Sequence, residues 1–178
     1  MLVLGVDPGT LSTGYGIVQR RGPTLRLIHC GAIRNAAGIS MPLRLRTIHN
    51  ALRSVIERFH PDEFAIESAF HGRNAQAALK LGHARGVAIL AAVEQELPTT
   101  EYSPREVKKA VVGSGTASKE QVQFMVRTLL GIARPAMVHD TSDAIAVAIC
   151  HIHRLVTPTT RHRDWASFVA AHPERVRP

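Results

Sequence analysis

The sequence is short of aromatic side chains, cysteine and long apolar runs, and each shortage excludes something. Aromatics are 4% of the 178 residues, with one Trp, two Tyr and five Phe. That is too few for a stacking platform that meets successive bases of a single strand. The two cysteines are Cys30 and Cys150. A structural zinc site needs about four ligands at closer spacing and a disulfide framework needs more thiols, so both read as small core residues. No apolar run approaches the ~20 residues of a membrane-spanning helix; the longest obvious stretch, 87–93, is flanked by Arg85 and Glu94. Met1-Leu2-Val3-Leu4-Gly5 runs almost at once into Asp7, without the basic region and long apolar core of a signal peptide. The expectation is a soluble, cytoplasmic protein.

Acidic residues are also scarce: 14 Asp and Glu stand against 22 Lys and Arg, a net charge of +8. A surplus of this size is the usual footprint of a partner that carries phosphates, although many basic proteins are merely well solvated. With so few aromatics, charge on a nucleic-acid backbone would dominate the affinity. Hydrophobic residues at 45% argue against disorder, and the length suits one domain with a real core.

Residues 2–6 form an apolar run that stops at Asp7-Pro8-Gly9, a buried strand ending in a turn. Strands at 14–19 and 25–33, joined by a turn at 20–23, make an antiparallel start. Leu45, Ile48, Leu52, Val55, Ile56 and Phe59 recur at helical spacing and predict a helix over 40–59. A fourth strand follows at 63–68, then a long Ala-rich helix over 74–97, stopped by Pro98. After a short strand at 99–102, Ser103 caps a helix that begins at Pro104. Ser118 caps another through 130, with Gln121 placed for a capping box. The last helix starts near Asp140 or Thr141 and runs to about 156. Strands first, then alternating helices and strands, predict an α/β fold with a mixed β-sheet flanked by helices. The division is a domain over 1–156 and a basic, flexible or loosely docked tail over 157–178.

Four carboxylates carry the chemistry. Asp7 ends the first strand; Pro8 stops further ladder donation and Gly9 lets the backbone turn near a ligand. Glu67 ends the fourth strand. Asp140 and Asp143 lie three apart at the start of the last helix and face the same way. Singly, each has a bland use, in a turn, at a solvated strand end or as a helix cap. Together they converge on one cleft, where their mutual repulsion calls for cations. Oxygen-only ligands suit Mg²⁺ or Mn²⁺, and two such ions ~3.5–4 Å apart support in-line displacement at a phosphodiester. His139 beside Asp140 is a further candidate ligand, while His151 and His153, on alternating sides of the last helix, are not.

Gly5-Val6-Asp7-Pro8-Gly9, Thr13-Gly14-Tyr15-Gly16 and Ala65-Ile66-Glu67 are followed in order by three further blocks. These are Ala78-Leu79-Lys80-Leu81-Gly82-His83-Ala84-Arg85-Gly86, Val107-Lys108-Lys109-Ala110-Val111-Val112-Gly113 and Asp140-Thr141-Ser142-Asp143-Ala144. The series resembles the RuvC family of Holliday-junction resolvases over roughly 1–155. The resemblance implies an RNase H-like fold with a five-stranded mixed sheet, and a metal-dependent endonuclease that cuts four-way DNA junctions as a homodimer. It also implies a branch-migration helicase as partner. By resemblance Asp7, Glu67, Asp140 and Asp143 are the catalytic, metal-binding acids. Some relatives use His in the first slot of the final acidic pair, but spacing to Asp143 favours Asp140 over His139. Lys108 and Lys119 match basic residues needed for activity or DNA contact, and Phe70 matches an aromatic that enters the junction.

Phe70 and Arg73 fall in a segment that reads as an exposed loop. Lys119 lies beside a helix N-cap, where the dipole disfavours a cation, so its charge is expected to serve a ligand. Lys80, Arg85, Arg105 and Lys109 are expected to contact phosphate in about half of cases, the rest being solvated charges. Ala78, Gly82 and Gly86 make a small-residue strip, either a dimer contact or a surface laid on the protein's own sheet. Three rival readings remain open at this point. Asp7-Pro8-Gly9-Thr10 also looks like the phosphate loop of the actin and sugar-kinase ATPases, which need two such domains. The others are a nuclease acting on RNA–DNA hybrids and a binding module without chemistry.

Overall fold

The computed structural model describes residues 1–68, 74–132 and 141–156. Ten elements follow one another: β1 (Leu2–Asp7), β2 (Ser12–Arg21), β3 (Thr24–Arg34), α1 (Met41–Phe59), β4 (Glu63–Glu67), α2 (Ala75–Val93), β5 (Thr99–Tyr102), α3 (Pro104–Val112), α4 (Lys119–Leu130) and α5 (Ser142–Val156). The five strands form one sheet in the order β3-β2-β1-β4-β5. The pairs β1–β2 and β2–β3 are antiparallel, whereas β1–β4 and β4–β5 are parallel. This is the expected mixed sheet with flanking helices.

Side chains alternate across a strand, and the two faces of the sheet bury separate cores. Leu4, Val6, Ile17, Phe64 and Ile66 join Ile48, Leu52 and Ile56 of α1 and Ala84, Ala88, Ala91 and Ala92 of α2. Val3, Val18, Ala65 and Tyr102 join α3, α4 and the buried residues of α5. Helix α5 is the central element of this second layer, with Ser142 and every residue from Ala144 to Ile152 buried. It approaches so closely because Gly5 and Gly16, paired in register, leave a flat place on the sheet. A Cβ on Gly5 would lie 2.2 Å from the Ala144 carbonyl oxygen and 2.6 Å from the Ala148 nitrogen, and one on Gly16 would lie 2.5 Å from Ile145 Cγ1.

Caps mark the helix boundaries as expected. Ser103 and Ser118 each make a full capping box, with Glu106 and Gln121. Helix α2 is shorter than the predicted 74–97. It ends at Val93, and Glu96 takes a left-handed conformation with φ of 56°. The Leu97 N–H then turns back to the Ala92 carbonyl, so the chain leaves the helix before Pro98 forces it to. Helix α5 begins at Ser142, its first ladder bond running from the Ile145 N–H to the Thr141 carbonyl.

The Ala78–Gly82–Gly86 strip is not laid on the sheet. A Cβ on Gly82 or Gly86 would meet nothing within 4 Å; Leu79, Leu90 and Val93 on the same helix are 61%, 49% and 56% exposed. Neither cysteine is in a disulfide; Cys150 is buried and Cys30 half-buried. Buried His151 lies with its Nδ1 2.8 Å from the Tyr102 hydroxyl, and His153 Nδ1 is 3.1 Å from the Ala110 carbonyl, so both imidazoles are occupied in packing. Among the described residues no helix is long and apolar enough to cross a membrane. The basic tail, 157–178, lies outside the described residues.

Candidate active site

Period-two alternation places Asp7 and Glu67. Val3 and Gly5 face α5, so Asp7 two residues on does too; Ala65 faces α5, so Glu67 does. Because β1 and β4 are parallel neighbours paired through Val6 and Ile66, the two acids end adjacent strands at the same edge. Asp143 in the first turn of α5 reaches the same place because Gly5 admits that helix.

The turn after Asp7 is held from within. The Thr13 hydroxyl donates to the Gly9 carbonyl at 2.7 Å, and the Gly9 N–H donates to Thr13 Oγ1 at 3.3 Å. Thr13 is fully buried, which fixes the backbone beyond the carboxylate.

These three acids line one cleft of about 430 Å³ together with Lys108 and Lys119, over an apolar floor that includes Leu81, Val107, Val122 and Ala146. Lys119 Nζ lies 2.6 Å from Asp143 Oδ2. The contact, with the negative charges of Asp7 and Glu67 nearby, pushes its pKa up. The pKa values of two of the acids rise as well. Burial raises Asp7 from 3.8 to about 6, with the Asp143 charge adding to the shift and Lys119 opposing it. Burial also raises Glu67 from 4.5 to about 7, helped by the charges of Asp7 and Asp143 and opposed by Lys119 and Lys108. Two neighbouring carboxyls that resist ionisation are groups short of positive charge.

The cleft therefore offers carboxylate oxygens to a hard divalent cation and ammonium groups to a phosphate. No three His, Cys, Asp or Glu side chains among the described residues stand close enough to clasp an ion as they are. An arriving cation would have to draw the acids inward. The donor set is all oxygen, which suits Mg²⁺ or Mn²⁺ better than zinc.

Of the expected site residues, the fold gathers Asp7, Glu67, Asp143, Lys108 and Lys119. It does not bring Lys80, Arg85 or Lys109 to the lining of the cleft. Lys80 and Lys109 are exposed on α2 and α3, and Arg85 is committed to an ion pair with Glu101 at 3.0 Å. Phe70, Arg73, His139 and Asp140 lie outside the described residues. Gly5, Gly16 and Thr13 escape a reading based on chemistry-bearing side chains. For the glycines the signal is their presence inside strands, Gly5 in β1 and Gly14 and Gly16 in β2, which marks a close approach.

Residues 3–151 match the family model described as crossover junction endodeoxyribonuclease RuvC. The chain is 45% identical to the RuvC of Salinibacter ruber over 177 residues, covering 99% of each chain. It is 51% identical to that of Pelobacter propionicus over 175 residues, covering 94% of this chain and 99% of the relative. A solved structure of T. thermophilus RuvC in complex with Holliday junction substrate superposes with a TM-score of 0.82 at 35% identity, covering 87% of this chain and 94% of that one. Yeast mitochondrial Ydc2 shares the fold at a TM-score of 0.59 and 13% identity.

Proposed function

Because the chain belongs to the RuvC family of crossover junction endodeoxyribonucleases, we propose that the cleft between β1, β4 and α5 is where it cuts four-way DNA junctions. The observation that carries this is the meeting of three carboxylates and two lysines at one sheet edge. A binding module has no use for acids where phosphates must sit, since they repel the ligand. A nuclease needs them, and the RuvC family implies use of a divalent metal.

Asp7, Glu67 and Asp143 are the carboxylates that would hold that metal, with Asp140 three residues before Asp143 as the fourth. Mg²⁺ or Mn²⁺ is the ion the donor set favours, and a pair of them suits four acids. Held there, such ions would supply a lowered pKa for a bound water and positive charge opposite the phosphodiester. The chain's own contribution is placement. Gly5 seats α5, the Thr13–Gly9 bonds fix the Asp7 turn, and the apolar floor excludes water from beneath the acids. Lys108 and Lys119 orient the strand through its phosphates; Phe70 is assigned to the junction by family resemblance, and Arg73, a cation three residues on, is assigned to DNA with it. Lys80 and Lys109, outside the cleft, would meet the flanking duplex.

Resolution requires cuts in two opposing strands, and the described residues of each chain gather one such acid cluster, so the working unit is a two-fold dimer. The exposed strip of Leu79, Gly82, Gly86, Leu90 and Val93 on α2 is the contact surface we assign to it, since contiguous exposed apolar surface marks interfaces. A branch-migration helicase is the further partner suggested by family resemblance. The test offers purified protein with Mg²⁺ or Mn²⁺ a four-way junction, a linear duplex and an RNA–DNA hybrid. Paired, metal-dependent nicks in the junction alone are expected; preferential cleavage of the hybrid would refute the assignment.

A further inference from the structure

Asp7, Glu67 and Asp143 stand near enough to feel one another's charge, and two of them are desolvated. Something must hold such a cluster together before a divalent cation reaches it. Lys119 is in contact with it, its Nζ 2.6 Å from Asp143 Oδ2. The position is otherwise a poor one for an ammonium. Lys119 is the first residue of α4, preceded by the Ser118 cap, where the helix dipole repels positive charge. Its side chain is also 61% exposed, so no burial pins it there. The acids are what draw it in.

We propose that the Lys119 ammonium is a stand-in cation, which neutralises the acid cluster in the metal-free protein and leaves Asp143 when a divalent ion binds. The proposal rests on the reading of these acids as metal ligands. It gives Lys119 two successive partners, the Asp143 carboxylate first and a DNA phosphate afterwards. The exchange is physically easy. A solvent-exposed ion pair is weak and salt-screened, and lysine carries its charge on a flexible four-carbon stem that swings without moving the helix. It is also favoured. A doubly charged ion on Asp143 and an ammonium on the same carboxylate would repel each other across a few ångströms, and both compete for the same two oxygens. The released ammonium is then free to meet a bound phosphate. Metal loading and readiness for DNA thereby become one event.

Direct binding of Mn²⁺ to DNA-free protein tests this, read from the free-ion electron paramagnetic resonance signal at low salt and pH 8.5. Lys119→Met keeps the stem without the charge, and Lys119→Gln is a second neutral variant. Both are expected to bind Mn²⁺ about two- to fivefold more tightly than wild type, the size of one exposed charge contact removed. Lys119→Arg, which keeps a competing cation, is expected to bind no more tightly than wild type. Equal or weaker Mn²⁺ binding by both neutral variants, with wild type binding normally, would overturn the stand-in role and leave the metal site intact. A wild-type protein that takes up no Mn²⁺ would overturn the metal assignment itself, and this proposal with it.

Discussion

A single methyl group placed on Gly5 should separate the acid cluster without touching any acid. In Gly5→Ala the new Cβ would stand 2.2 Å from the Ala144 carbonyl oxygen, 2.6 Å from the Ala148 nitrogen and 2.9 Å from Ala148 Cβ. Two of these are backbone atoms of α5 and cannot rotate away. Ordinary carbon contacts begin at about 3.5 Å, so the helix must retreat by roughly 1 Å. Overpacking of this kind costs about 1–3 kcal/mol, which at ~2–4 °C per kcal/mol lowers the melting temperature by about 2–12 °C. The retreating helix carries Asp143 away from Asp7 and Glu67. A ~1 Å misplacement can cost about 100-fold in rate, and Mn²⁺ affinity should fall with it. Gly16→Ala is the internal comparison. Its short contact is the Ile145 Cγ1 atom at 2.5 Å, with backbone atoms no nearer than 3.3 Å, so a rotamer change absorbs most of the strain and the losses should be smaller. Melting curves, Mn²⁺ titration and junction cleavage on the same preparations decide it. Normal metal affinity and cleavage in Gly5→Ala would refute the claim that this glycine sets the Asp7–Asp143 spacing.

Asp7→Asn should abolish cleavage while junction binding persists, since the lysines and not the acids meet phosphate; paired binding and cleavage assays check this. The same variant should be more stable than wild type in metal-free buffer at pH 7–8. The Asp7 carboxyl titrates at about 6 in the fold against 3.8 when free, so its ionisation opposes folding. That penalty is absent below the free value, grows between the two, and is full above about 6, where it amounts to ~1–3 kcal/mol; thermal melts across that range should show the advantage vanish in acid. Lys108→Ala should reduce the slope of log affinity against log salt by about one, as expected for one phosphate contact, and an unchanged slope measured by fluorescence anisotropy would remove Lys108 from the DNA surface. Gly86→Glu places a charge where a Cβ meets open space, so the fold should stand while sedimentation shifts from about twice the 19.4 kDa chain mass to the single chain.

Local sequence carries this fold a long way. Hydrophobic periodicity together with cap and turn residues yields the five strands and five helices of the described residues, because each element buries a face or announces its ends in the chain. Ser103 and Ser118 announce their helices through the residues three places on. The overrun of α2 to Leu97 marks where local signals fail. Gln95 and Leu97 continue an acceptable helical pattern, and the left-handed Glu96 has no glycine to announce it. The acids Asp7, Glu67 and Asp143 were legible as types at strand and helix ends. Their meeting in one cleft was expected, but the sequence could not place it, because nothing in the order of the chain says that β4 pairs parallel to β1, between β1 and β5. Only that pairing sets Glu67 beside Asp7. Only the flat place made by Gly5 and Gly16 across two strands brings Asp143 down to both. Charge alone does not rank Lys80, Arg85, Lys108, Lys109 and Lys119; family resemblance already set Lys108 and Lys119 apart. Tertiary structure adds the geometry, giving Lys108 and Lys119 to the cleft and Arg85 to Glu101. Sequence determines what a residue can do chemically and which local element it prefers. Interaction between charges depends on their separation in space and not along the chain, so which residues act together is decided by the packing of elements far apart in the chain.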